Sequence, residues 1–79
     1  MNNTQFNFYI DIKQKIDVLH LSTNILILLK QNNICTLYEL IKKNKNDLKK
    51  IGCNSIQITE IEIKLQLEGL DLNMKSTII

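Results

Sequence analysis

The chain has 79 residues, 44% of them hydrophobic, and a formal net charge of +2. That makes one domain with material for a core but a thin stability margin, since so short a chain buries only roughly 60–65% of its unfolded surface. Its longest apolar run, Ile25 to Leu29, falls far short of the roughly 18 residues a membrane span needs, and Met1 to Gln5 lacks the basic and apolar regions of a secretory signal.

Residues 1–15 are polar around an apolar island at Phe6, Phe8, Tyr9, Ile10 and Ile12. They read as a flexible tail or linker, in which alternating Phe6, Phe8, Ile10 and Ile12 suit a short docking strand. Ile16 to Leu21 reads as an extended lead-in. Ser22 or Thr23 caps a first helix to about Gln31, with Ile25, Leu26 and Leu29 facing a core. Asn32-Asn33 ends it, because Asn tolerates left-handed backbone.

Thr36 and Glu39 have capping-box spacing and predict a second helix of roughly two turns containing Leu37, Leu40 and Ile41. Lys42, Lys43 and Lys45 fall near its C-terminal end, where cations suit the helix dipole. Asn46 or Asp47 opens a short turn holding Leu48 and Ile51 and closed by Gly52. Asn54 or Ser55 caps a last helix to about Leu67 or Glu68, ended by Gly69, and Leu70 to Met74 returns apolar groups to the core. Within that helix Ile61 to Leu67 alternates as a strand would, while Ile58, Ile61 and Leu65 fit a helical face. The pattern leaves both open.

No triad, paired-Cys zinc motif or phosphate-binding glycine loop is present, so no catalytic residue, metal or cofactor is expected. Cys35 and Cys53 read as two buried, reduced thiols in preference to a disulfide. His20 reads as a surface or core-edge side chain. Lys42, Lys43, Lys45, Lys49 and Lys50 read as a solvated face before a nucleic-acid patch. Ala, Arg, Pro and Trp are absent, and Ile, Asn and Lys supply 34 residues, as an AT-biased plastid or reduced bacterial genome would produce.

From Ile16 to Met74 the chain resembles the C-terminal domain of the bacterial and plastid RNA polymerase alpha subunit. The resemblance is carried by Ile16 to Ser22, Leu29 to Leu40, Asp47 to Ile51, Thr59-Glu60-Ile61, and above all Glu68-Gly69-Leu70-Asp71-Leu72-Asn73-Met74. It rests on order and spacing across about three quarters of the chain. It implies an all-α fold: a compact bundle of four short helices with an extended N-terminal lead-in, related to helix-hairpin-helix modules, with helix rather than strand at 61–67. Residues 16–75 would form the domain, 1–15 the end of a linker and 76–79 a frayed terminus. Nothing resembles the subunit's assembly domain, so a fragment, a split-off reading frame or a freestanding relative is expected.

The resemblance further implies a non-catalytic accessory domain in a plastid or, alternatively, the bacterial cytoplasm, away from membranes. Its partners would be RNA polymerase subunits, AT-rich upstream promoter DNA and transcription regulators. The family's minor-groove arginine corresponds to Asn24, its asparagine one turn later to Ile27, and a small residue to Leu28. Lys30 keeps a basic residue near the groove edge, and Asn54-Ser55-Ile56-Gln57 stands where the family has Gly-Lys-Lys-Ser or similar, with Ile56 in a phosphate-contacting lysine's place. Asn24, Lys30, Asn54, Ser55 and Gln57 are therefore the expected DNA contacts, on a surface degraded by loss of charge. The alternative is a protein-interaction module on the same fold. Ile27, Leu28, Ile56, Ile63 and Leu67 would then form its apolar patch.

Overall fold

Capping boxes open three of the four helices in the computed structural model, which describes residues 11–74. A single 3-10 turn over Ile16–Leu19 leads to α1 (Thr23–Gln31), α2 (Leu37–Ile41), α3 (Lys45–Lys50) and α4 (Ser55–Leu67). The fold is all-helical, and among the described residues the sole β-type pairing is an isolated bridge between Lys15 and Thr36.

Each box works by reciprocity. In α2 the Thr36 hydroxyl accepts from the Glu39 N–H while the Glu39 carboxylate accepts from the Thr36 N–H. Asn44 with Asp47 and Asn54 with Gln57 repeat the exchange at α3 and α4. Each pair satisfies two backbone donors at a helix start. The start of α3 therefore lies earlier than Asn46 or Asp47, and Lys45 opens α3 rather than closing α2. Asn33, Gly52 and Gly69 take positive φ at the ends of α1, α3 and α4.

The core is wholly apolar: no polar or charged side chain is buried among the described residues. Ile16, Ile25, Leu29, Leu37, Leu40, Leu48, Ile61 and Leu65 are its fully buried side chains. Leu70 and Leu72 return to it as expected, and Met74 packs against it. The lead-in is not extended throughout. Ile16–Leu19 coils into the 3-10 turn and His20 takes left-handed φ, which buries Ile16 and Leu19 together.

Of the segment read as tail or linker, residues 1–10 lie outside the described residues, and Asp11 to Lys15 is held. The Ile12 and Gln14 carbonyls accept from the Tyr38 and Leu37 N–H groups at 2.7 and 2.9 Å. At the other end of α2, the Ile41 and Lys43 carbonyls accept from Met74 and Asn73, both at 2.8 Å. A helix of five residues cannot satisfy its own termini, and here chain segments from either side do so.

Residues 61–67 are helix. At about 100° per residue, Ile58, Ile61 and Leu65 share one face of α4, and Ile56, Ile63 and Leu67 lie on the opposite one. The first set is buried; Ile56, Ile63 and Leu67 are 80%, 51% and 75% exposed. Alternation along 61–67 results from two apolar faces on one helix. Cys53 is buried as expected, and burial raises its thiol pKa. Cys35 is exposed, contrary to expectation, because Ile34 and Leu37 fill the adjoining core positions.

Candidate functional site

Glu60 of α4 joins the start of α1 to the first turns of α4. Its carboxylate accepts from the Ser22 N–H at 2.7 Å, and the Ser22 hydroxyl lies 2.9 Å from both carboxylate oxygens. Ser22 occupies the N-cap position of α1 but makes no side-chain bond to that helix, since its hydroxyl is turned to Glu60. The hydrogen bonds from the Ser22 backbone and hydroxyl hold the Glu60 carboxyl below its ordinary pKa. Glu60 is five residues beyond Ser55, about 7.5 Å along the axis, so the two helix starts lie near one another.

A second contact fixes how α1 runs past α4. A Cβ built on Gly52 would lie 3.7 Å from both methyl carbons of Leu28. The start of α1 thus meets α4 at Glu60, and its later turn meets the chain at Gly52, just before α4. Asn24 and Ile27 project from the Leu28 side of α1, by its helical periodicity. This flank and the capped start of α4 form one edge of the molecule.

The expected DNA residues divide on this geometry. Asn24, Asn54 and Ser55 are exposed on that edge. Gln57 is half-buried, and its side-chain carbonyl is taken by the Asn54 N–H, as the Asn54 side-chain oxygen is by the Gln57 N–H. Their side-chain amide donors remain for a ligand. Lys30 does not join them. Six residues turn it about 120° around α1 from Asn24, and its Nζ is bonded to Asp17 at 3.0 Å. That hydrogen bond holds the Asp17 carboxyl below its ordinary pKa.

The apolar residues divide too. Ile27 is 49% exposed, and Ile56, Ile63 and Leu67 face solvent. Leu28 is half-buried and packs against the core, so it supports the edge from beneath instead of forming open surface. The lysine cluster lies on the end of α2 and on α3. Lys42 Nζ stands 4.6 Å over the Tyr38 ring, and Lys45 pairs with Glu62 at 3.6 Å.

The Ser22–Glu60 bond is the functional-site feature that sequence spacing hid, as its partners are 38 residues apart. The signals present were a serine at a helix start and a lone acidic residue on an otherwise apolar stripe. Among the described residues no group of three or more His, Cys, Asp or Glu is arranged to hold a metal, and no helix is long and apolar enough to cross a membrane.

Neither a protein-family model nor a curated protein sequence matches the chain.

Proposed function

We propose that the chain is a non-catalytic accessory domain of an RNA polymerase alpha subunit, working in a plastid or the bacterial cytoplasm. The reading rests on the ordered stretches from Ile16 to Met74 that resemble the subunit's C-terminal domain. The observation that carries it is the Ser22–Glu60 contact, which sets the start of α1 beside the first turns of α4, where that family meets DNA. On this reading the bundle is a relative of helix-hairpin-helix modules, and its partners are polymerase subunits, regulators and AT-rich upstream DNA.

DNA contact at this edge is weak. Asn24, Asn54, Ser55 and Gln57 carry no charge, and the one lysine expected beside them is paired elsewhere. Neutral amides position a phosphate without the counterion release that drives most of such binding. The wide exposure of Ile56, Ile63 and Leu67 favours a second reading, in which the outer face of α4 with Ile27 docks a protein.

Fluorescence anisotropy on AT-rich and GC-rich duplexes at low salt, with wild type and Asn24→Arg, separates the two. Weak wild-type binding with AT preference, strengthened several-fold by the arginine, is the expected result. Absence of binding by both proteins removes the DNA role and leaves the protein-docking reading.

A further inference from the structure

Charge in this molecule is segregated along the chain. Residues 42–50 carry five lysines against one aspartate, while the other described residues carry four lysines against seven acidic groups. The positive charge is therefore concentrated at the end of α2 and on α3, on side chains other than those of the α1–α4 edge. Lys45 is spent on Glu62. Lys42, Lys43, Lys49 and Lys50 have no ion-pair partner among the described residues. Lys43 and Lys50 share the walls of one open depression with Asn32, Asp47, Ile34 and Ile51. Asp47 lines the same depression, its carboxylate held at the Asn44 N–H, and Glu39 on α2 feels the charge of Lys43, so four lysines without an ion pair face two carboxylates and a positive excess remains.

The geometry points to a phosphate-backbone contact on this face, and we propose that the α2–α3 lysines bind double-stranded nucleic acid without regard to sequence. The inference stands on charge and placement and does not depend on the family reading. The exposed large apolar residues Val18, Ile27, Ile56, Ile63 and Leu67 all lie on other elements, so the face has no apolar centre to anchor a protein or enter a lipid surface. Its one exposed aromatic, Tyr38, is covered by Lys42, which leaves no platform on which unpaired bases stack. Point charges on flexible stems suit phosphate oxygens and read no base edges, whereas Asn44 and Asn46 border the carboxylates of Glu62 and Asp71 and fall at the limit of the face.

The test is a salt titration of duplex binding by the full chain, read by anisotropy. Lys42→Gln/Lys43→Gln/Lys50→Gln is compared with Lys13→Gln/Lys15→Gln/Lys64→Gln, an equal charge loss elsewhere, and circular dichroism confirms that each variant folds. The slope of log affinity against log salt should fall by about 2 to 3 in the first triple, at about 0.9 per phosphate contact, and by less than about 1 in the second. Equal weakening of both triples overturns the proposal, as does wild-type binding to poly-glutamate or phosphatidylserine vesicles as tight as to duplex. Strengthening by Asn24→Arg with no effect of the first triple also overturns it while leaving the α1–α4 edge as the DNA surface. No duplex binding at low salt removes both nucleic-acid surfaces and leaves the accessory-domain reading to protein contacts.

Discussion

Glu60 caps α1 from across the molecule: its carboxylate takes the N–H and the hydroxyl of Ser22, 38 residues earlier. A negative group at that position also suits the positive end of the α1 dipole. The bond thus joins two helices and stabilises the start of one of them.

Ser22→Ala and Glu60→Gln should each cost about 1 kcal/mol, the usual value of a hydrogen bond to a charged group reduced for solvent exposure. The double variant should cost less than the two together, because both changes weaken the same hydroxyl–carboxylate interaction. Urea unfolding followed by circular dichroism measures all three. Strict additivity would show that the two residues act independently.

Stability should fall in acid. Asp17, Glu39 and Glu60 all have carboxyl groups held below their ordinary pKa, by the Lys30 hydrogen bond, the Cys35 and Thr36 N–H groups, and Ser22 respectively. Such groups add stability that is complete above the unfolded-state value and is lost as pH drops through the lower folded value. Melting temperature should hold from pH 7 to about 5 and decline below about 4. Glu60→Gln should show a shallower decline than wild type, and parallel curves would refute the assignment for that residue.

The two faces of α4 should differ sharply in cost. Leu65→Ala opens a cavity at a fully buried site and should cost about 2–5 kcal/mol, enough to unfold so small a domain. Leu67→Ala, two residues on and 75% exposed, should stay within about 0.5 kcal/mol. Similar losses at both sites would mean that the outer face is covered in the folded protein.

Ile56→Lys with Leu67→Lys should leave the melting temperature nearly unchanged and reduce binding of an apolar fluorescent dye to the native protein. Dye binding equal to wild type would place the accessible apolar surface somewhere other than α4.

Much of the fold was legible because its punctuation is local. Thr36 with Glu39 and Asn54 with Gln57 fix helix starts within four residues, and Asn33, Gly52 and Gly69 supply the left-handed stops. The start of α3 is ambiguous in sequence because Asn44, Asn46 and Asp47 are all competent caps, and the reciprocal Asn44–Asp47 bonds decide for Asn44. Ile61 to Leu67 was undecidable by pattern, since a helix with apolar residues on opposite faces reproduces strand alternation. At the candidate site, residue types were readable but neighbours were not. The resemblance places Lys30 with Asn24 near the groove edge, whereas helical rotation and the Asp17 bond carry it away.

Both ends of the described chain meet at α2, with Ile12 bonded to Tyr38 and Met74 to Ile41, three residues apart on one short helix. The fold is therefore nearly a closed ring, and a short peptide joining residues 11 and 74 should permit circular permutation with new ends cut between α3 and α4. In mechanical terms, tension applied through the chain ends is delivered first to the hydrogen bonds around α2. Under load the molecule should open there, while the Ser22–Glu60 bond between the start of α1 and α4 still holds.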